Sequence, residues 1–126
     1  MNSFEYSRDY FPADPVIEVA LSAGRAPAPA VTIVALLDSG ADATLIPRDL
    51  LSRIQAPYVQ TRRMRGVTGT VVDVDIFAVR LQINGTEVAG IRAIQSRQGT
   101  EVILGRDFLN PFIITLNGPA LTCELR

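Results

Sequence analysis

Residues 31–42 read VTIVALLDSGAD, a stretch that predicts a buried strand ending in a polar turn. Its first seven residues are aliphatic or β-branched, which favours a strand. Asp, Ser and Gly are each common in turns, so Asp38-Ser39-Gly40 alone is consistent with an ordinary turn. A carboxylate at the mouth of an apolar strand is unusual for a simple turn, and it makes Asp38 the first candidate for chemistry.

The other apolar runs are short, rich in Val and Ile, and separated by Gly, Pro and Asn, which predicts a mostly β protein. Residues 16–22 and 31–37 are expected to form a hairpin. Its wide loop, 23–30, contains alternating prolines that prevent a helix. One short helix is expected over 47–54, where Pro stands at a position that a first helical turn accepts.

The segment 70–83 alternates for longer than a typical strand. Its apolar residues change parity part-way along, which predicts a bulge or bend. Asn84-Gly85 is a strong hairpin signal because both residues tolerate positive φ, and the partner strand is expected to run to about Ile94. Towards the C-terminus the sequence predicts a strand at 102–105, a helical turn at 106–110 and a hairpin turn at 117–119.

The length of 126 residues suits one compact domain. We expect a single domain over 16–126 and an N-terminal extension over 1–15, whose aromatic residues either dock on the domain or belong to a disordered lead-in. Hydrophobic residues make up 48% and charged residues 20%, as in soluble globular domains. The formal net charge of −1 offers no positive field, so we expect neither nucleic acid nor membrane as a partner.

The missing residue types exclude several mechanisms. The chain has no His, and all 12 of its basic residues are Arg, which excludes Ser-His-Asp catalysis, Schiff-base lysines and P-loops. Cys123 is the only cysteine, so no intramolecular disulfide or Cys-cluster metal site can form. The spacing of Asp38, Asp42 and Asp49 does not match a calcium loop. We expect no metal and no cofactor, and acid–base chemistry falls to carboxylates or Tyr.

No export signal or membrane span is visible in the sequence. Residues 1–15 carry acids and prolines where a signal peptide needs a basic start and a continuous apolar stretch. The apolar run 31–37 is far too short to cross a bilayer. We therefore expect a cytoplasmic location.

Three segments resemble one protein family. Residues 36–42, LLDSGAD, are similar to the active-site signature of the retropepsins, the single-domain aspartic proteases of retroviruses and their cellular relatives. Residues 102–109, VILGRDFL, resemble the family's late apolar-apolar-Gly-Arg-Asn/Asp segment. Residues 64–70, MRGVTGT, resemble its flap hairpin, although they are leaner in glycine than the viral pattern. The resemblance covers roughly 31–116. It implies a mostly β, closed-barrel-like acid protease fold with a flap hairpin and one or two short helices.

The resemblance also implies roles for individual residues. Asp38 would be the catalytic carboxylate that activates water, and Ser39 would support it by a hydrogen bond across a dimer. Gly40 would lie beside bound substrate. Asp42 would contact the substrate backbone and pair with Arg106.

Further substrate-binding residues are implied around the same site. Ala41 would line it together with its two neighbours. In the flap, Gly66 and Gly69 would allow the tip to bend and move, and the backbone groups of Val67 and Thr68 would reach the peptide.

A single Asp-Ser-Gly turn has a consequence for assembly. Peptide hydrolysis needs a base to activate water and an acid to protonate the substrate, and two carboxylates that share one proton supply both. The chain has only one such turn, so the second carboxylate must come from another copy related by a two-fold axis. We therefore expect a homodimer that cleaves an extended peptide or protein substrate.

Two alternatives stay open. The chain could be a non-catalytic dimerisation or peptide-binding module with the same fold, or an unrelated β domain whose Asp38 turn is incidental. The cluster Arg62, Arg63 and Arg65 also has two interpretations. It either favours acidic substrates or forms a solvated strand edge guarded against aggregation, and we favour the solvated edge.

Overall fold

The computed structural model describes residues 2–25, 27–97 and 99–126, and strands dominate it. The strands are β1 (Asn2–Glu5), β2 (Val16–Ser22), β3 (Ala30–Leu37), β4 (Leu45–Pro47), β5 (Tyr58–Arg65), β6 (Val71–Ile83), β7 (Thr86–Ser96), β8 (Val102–Leu104), β9 (Ile114–Asn117) and β10 (Thr122–Leu125). The helices are α1 (Arg48–Arg53) and α2 (Arg106–Leu109). The predicted mostly β fold with short helices is confirmed.

Six strands close into a barrel. Their order around it is β2-β3-β8-β4-β7-β6, and the pairing of β6 with β2 closes the ring. β5 continues the sheet beyond β6, so β5 and the first part of β6 form a hairpin outside the ring. The barrel encloses most of the buried apolar side chains, which confirms the expected closed-barrel architecture.

The hairpin of β2 and β3 forms as its sequence predicts. Ile17, Val19 and Leu21 occupy alternate positions and are buried in the barrel, because successive side chains of a strand point to opposite faces. β3 begins at Ala30 and pairs with β2 from Ala30 to Leu36. The connecting loop contains Ala26, which lies outside the described residues.

β6 carries two sets of apolar side chains, as its change of parity predicts. Val74 and Ile76 belong to a small apolar cluster separate from the barrel core. Val79, Leu81 and Ile83 are buried inside the barrel. The register between β6 and β7 shifts between Val79 and Leu81, just after this change of parity, which agrees with the predicted bulge or bend.

The turns and helices follow local sequence signals. Asn84 and Gly85 have φ values of 43° and 86°, and a type I′ turn requires positive φ at both positions. Pro47 is the N-cap of α1, and Leu51 and Ile54 turn into the core. In the part of the chain that the structure describes, no helix is long and apolar enough to cross a membrane.

The two ends of the chain form a second sheet, the terminal sheet, in the order β1-β10-β9. Cys123 of β10 is buried, and its Sγ donates a weak hydrogen bond to the Val16 carbonyl oxygen at 3.5 Å. This burial raises the pKa of the Cys123 thiol. Val16 pairs with Leu36, so the terminal sheet packs at the end of the barrel where β3 finishes.

The segment between β1 and β2 contains aromatic residues whose placement the sequence left open. Tyr6 packs against the barrel core. The Tyr10 hydroxyl donates to Glu101 Oε1 at 3.0 Å, and this hydrogen bond raises the pKa of Tyr10. Phe11 is fully exposed. The two tyrosines therefore dock on the domain, and Phe11 does not.

The parity change in β6 predicts that the same Val→Ala substitution lowers the free energy of unfolding by different amounts at two positions of the strand. Val79 is 2% exposed, and Val79→Ala should lower the free energy of unfolding by about 2 kcal/mol because it removes buried methyl groups. Val72 lies on the same strand and is 45% exposed, so Val72→Ala should lower it by less than about 0.5 kcal/mol. Urea denaturation measures both values, and equal losses would contradict this description of β6.

Candidate active site

The candidate catalytic residue lies where β3 leaves the barrel. Leu37 pairs with Leu104 of β8, and the Asp38 N–H donates to the Leu104 carbonyl oxygen at 3.0 Å. On the other side, the Leu37 N–H donates to the Pro15 carbonyl oxygen at 3.3 Å. Backbone hydrogen bonds on both sides of the strand therefore fix the position from which the Asp38 side chain leaves.

Asp38 begins a compact turn. The Gly40 N–H donates to Asp38 Oδ1 at 2.9 Å, and the Ala41 N–H donates to the Asp38 carbonyl oxygen at 3.1 Å. The charge-assisted bond from Gly40 orients one carboxylate oxygen. A Cβ at position 40 would crowd that oxygen at 3.2 Å. The carboxylate is thus oriented by backbone while the residue stays exposed to solvent.

Arg106 joins this turn to α2. Its Nη1 donates to the Ser39 carbonyl oxygen at 2.8 Å, and its Nη2 contacts Asp42 Oδ1. The Arg106 N–H donates to the Ala41 carbonyl oxygen at 2.9 Å. The ion pair is the one that the family resemblance implied. Because both of its side chains are exposed, its contribution is mainly geometric.

A buried hydrogen-bond cluster beneath the turn was not predicted from the sequence. Thr44 is fully buried; its Oγ1 donates to Asp107 Oδ1 at 2.7 Å, and its N–H donates to Asp107 Oδ2 at 3.0 Å. The same hydroxyl accepts the Gly105 N–H at 3.2 Å, and Asp107 Oδ1 also accepts the Phe108 N–H at 2.9 Å. A polar Thr within an apolar run and an acid after Gly-Arg are the only sequence signals for it.

Gly105 approaches the segment after Asp38 so closely that no side chain fits. An ideal Cβ at Gly105 would lie 2.6 Å from the Ala43 carbonyl carbon and 3.0 Å from the Ala41 carbonyl oxygen. The glycine of the VILGRDFL segment is therefore required by packing.

A cleft of about 250 Å³ opens between the turn and the hairpin outside the barrel. Residues 40–43 line one side, Met64 and Arg65 of β5 line the other, and Leu45 and Ile94 complete it. The three residues predicted for this side of the substrate site are thus brought together. Asp38 itself does not line the cleft.

The hairpin tip was predicted to belong to the substrate site. The Gly66 N–H donates to the Thr70 carbonyl oxygen at 2.8 Å, and the Gly69 N–H donates to the Gly66 carbonyl oxygen at 2.9 Å. Gly69 has a φ of 85°, which favours glycine. Val67 and Thr68 are exposed. The tip residues 66–69 follow Met64 and Arg65 in the chain but do not line the cleft.

Asp14 is a further residue near the candidate site that the sequence did not reveal. Asp14 precedes Pro15, whose carbonyl oxygen accepts the Leu37 N–H, so the segment that carries Asp14 runs beside the one that carries Asp38. Partial burial, and then the charges of Glu101 and Asp38, raise the pKa of Asp14. Across the described ranges, no group of three or more Asp, Glu or Cys side chains is placed to hold a metal ion.

Comparison with known proteins agrees with this geometry. Residues 30–111 match the family described as "gag-polyprotein putative aspartyl protease". The chain belongs to this aspartyl protease family. The matched residues include the Asp38 turn, the hairpin outside the barrel and the Gly105-Arg106 segment, so the resemblance inferred from the sequence is confirmed.

Solved structures show the retropepsin-like fold of this family member. The EIAV protease complexed with the inhibitor HBY-793 is 22% identical, with a TM-score of 0.62, over 86% of this chain and 93% of that one. A retropepsin-like aspartic protease from Rickettsia conorii is 12% identical, with a TM-score of 0.68, over 98% of this chain and 88% of that one. No curated protein matches the chain.

The buried cluster beneath the turn predicts the effect of one isosteric substitution. Thr44→Val keeps the shape of the side chain but removes the hydroxyl, which leaves the buried Gly105 N–H without its acceptor. We expect the free energy of unfolding to fall by about 2 kcal/mol. Thr32→Val, at an exposed position of β3, should change it by less than about 0.5 kcal/mol. If urea denaturation finds both variants equally stable, the cluster does not have this role.

Proposed function

We propose that this protein is an aspartic endopeptidase that acts as a homodimer, with one Asp38 from each subunit. The observation that carries the proposal is the Asp38 carboxylate, which a backbone N–H orients while the residue remains exposed at the end of the barrel. A carboxylate held in this orientation is placed to lie beside the Asp38 carboxylate of a second subunit. Membership of an aspartyl protease family supports the same reading.

The chemistry of the pair follows from electrostatics. Two carboxylates about 3 Å apart cannot both be ionised easily, so they hold one proton between them at mildly acidic pH. The ionised carboxylate takes a proton from water, whose oxygen bonds to the peptide carbonyl carbon, while the other carboxylate gives its proton to the carbonyl oxygen. The tetrahedral intermediate then collapses and the C–N bond breaks. The leaving nitrogen receives the proton that the first carboxylate took from water, and a hydroxyl of the intermediate returns its proton to the second carboxylate, which restores the pair.

Ser39 supports the shared site. Its side chain is exposed, and its hydroxyl makes no hydrogen bond within the described part of the chain. The adjacent carbonyl oxygen is already held by Arg106, so the Ser39 backbone is fixed while its hydroxyl is free. We propose that this hydroxyl bonds to the second subunit and keeps the two Asp38 turns in register.

The edge of the terminal sheet is the surface that we propose for dimerisation. β9 is one of its two outer strands in the described chain, β1 being the other. Leu116 on β9 and the preceding Ile113 are 58% and 67% exposed. An unpaired apolar edge tends to pair with another strand. Antiparallel pairing of β9 with its own copy is self-complementary, as a two-fold axis requires. The terminal sheet lies at the barrel end from which Asp38 projects, so this pairing brings the two turns towards each other.

The hairpin of β5 and β6 is proposed as the flap. Its tip, Gly66-Val67-Thr68-Gly69, is exposed and directly follows the two β5 residues that line the cleft, so it is available to fold over an extended peptide. Backbone groups on the flap and on residues 40–42 would then bind the peptide in the manner of an added strand. Gly69, already at positive φ, is the position at which the tip can bend.

Replacing the catalytic carboxylate tests the proposed activity. Asp38→Asn should reduce peptide cleavage at least about 1,000-fold, because the amide cannot act as a base. Asp49→Asn, an exposed acid on α1, is the matched control and should retain activity. Both variants and the wild type are compared on a diverse peptide library from mildly acidic to neutral pH, with the mass in solution measured in parallel. A verified wild-type dimer that cleaves no peptide would refute the enzyme and leave a peptide-binding module.

A charge on β9 tests the proposed dimer surface. Leu116→Asp should convert the dimer to a monomer and lower activity at least about tenfold, because it buries an unpaired charge in the interface. Val34→Asp introduces the same charge at a similarly exposed apolar position of β3 and should leave the dimer intact. Sedimentation equilibrium measures the mass of each variant. A Leu116→Asp dimer as tight as the wild type would rule out this surface.

A further inference from the structure

The hairpin of β5 and β6 has two faces with different chemistry. The strand register places Gln60 beside Ile76, and Ile76 beside Ile94 of β7. It also places Arg62 beside Val74. Residues opposite each other in antiparallel strands share a face. These residues therefore form one face, which is the face that lines a cavity of about 320 Å³ next to the cleft at residues 40–43.

The outer face of the hairpin satisfies its own polar groups. Arg63 lies beside Asp73, with Nε and Oδ1 3.9 Å apart. Thr61 Oγ1 donates to Asp75 Oδ1 at 2.7 Å and is hydrogen-bonded to the Tyr58 hydroxyl. Both acids of this part of β6 are therefore on the outer face, and neither faces the cavity.

The cavity combines an apolar floor with unpaired positive charge. Val74, Ile76 and Ile94 are buried and form a cluster separate from the barrel core. Arg62 on β5 and Arg92 on β7 stand at its rim. Neither arginine has a carboxylate within ion-pair distance among the residues the structure describes.

The charge imbalance extends across the cavity and the adjoining cleft. Arg62, Arg65 and Arg92 line the two spaces without an ion pair in the described chain. Arg63 also lines the cavity but is paired with Asp73, and the one acid among the lining residues, Asp42, is paired with Arg106. The whole chain has a formal net charge of −1, so this positive charge is local. Concave surfaces with charge of one sign concentrate the field and attract ligands of the opposite sign.

We propose that the substrate cleft selects peptides that place an aliphatic side chain in the 320 Å³ cavity with Glu or Asp two residues away, where the acid meets Arg62 or Arg92. The proposal rests on the proposed function, because it assumes that a peptide lies in the cleft. Side chains of an extended peptide alternate, so residues two apart point to the same side, about 7 Å from each other. An arginine at the rim reaches an acid at that distance from the aliphatic anchor.

The sequence alone favoured a solvated strand edge for Arg62, Arg63 and Arg65. All three are exposed on β5, an outer strand of the sheet, as that interpretation requires. Their ion pairing nevertheless separates them, since Arg63 is paired with Asp73, its neighbour across the hairpin, and Arg62 has no acidic partner among the described residues. If the arginines served only to keep the strand edge solvated, the acids of β6 would have no reason to lie on one face of the hairpin only.

The test measures binding and cleavage of two matched peptides that differ only in Glu or Gln at the second position from a central Leu. Binding to the inactive Asp38→Asn variant is followed by fluorescence anisotropy at low and high salt. Cleavage of both peptides by the wild type gives the ratio of kcat/KM. We expect the Glu peptide to bind about fivefold more tightly at low salt, and the preference to shrink at high salt because exposed charges are screened.

Substitutions of Arg62 and Arg92 test whether these two arginines cause the preference for the Glu peptide. Arg62→Gln combined with Arg92→Gln, in the Asp38→Asn background, should bring the ratio of the two affinities close to one, and Arg62→Lys with Arg92→Lys should restore part of it. Arg25→Gln removes the same charge from the opposite end of β3 and should leave the ratio unchanged. Circular dichroism confirms that each variant folds.

The outcomes separate this inference from the proposed function. Equal affinity for both peptides, no binding of either, or a Glu preference that survives the double Gln substitution would overturn the selectivity. Selective binding without cleavage by the wild type would refute the peptidase and leave the selectivity standing. Cleavage of both peptides at equal rates would refute the selectivity and leave the peptidase standing.

Discussion

The close approach of Gly105 to the backbone after Asp38 is the constraint on which the candidate site depends. An ideal Cβ there would overlap the Ala43 backbone, so the two segments can pack together only through a glycine. Around this contact, the Thr44 hydroxyl links the Gly105 N–H to Asp107 in a fully buried position. Buried polar groups that are fully hydrogen-bonded hold one arrangement, so these bonds make the loop after β3 rigid.

That rigidity explains how an exposed residue can have a defined orientation. Asp38 lies at a strand end with backbone hydrogen bonds on both sides, and Gly40 orients its carboxylate. The ion pair of Arg106 with Asp42 adds little energy at the surface, but it holds the outer part of the same loop. Everything needed to present one carboxylate is in one chain, whereas the second carboxylate, the partner for the Ser39 hydroxyl and the partner for the β9 edge are proposed to come from a second copy.

Local patterns predicted most of the fold and the centre of the site. The alternation in β6, the Asn84-Gly85 turn and the family motifs each depend on neighbouring residues, so they can be read from the sequence. The pairing of Thr44 with Asp107 and the approach of the segment at Asp14 to the segment at Asp38 join residues far apart in the chain. Such contacts follow from how the barrel closes, which periodicity does not specify. The cavity face of Arg62 was missed for the same reason, because it depends on the register of a strand pair.

The central claim is that one catalytic centre needs Asp38 from two subunits, and subunit mixing tests it most directly. Wild type and Asp38→Asn are unfolded together, refolded at a fixed total concentration and assayed over a range of mixing ratios. If both carboxylates are required, activity follows the square of the wild-type fraction, so an equal mixture retains about a quarter of the activity. A linear decrease, with about half the activity in the equal mixture, would mean that each subunit works alone and would contradict the account.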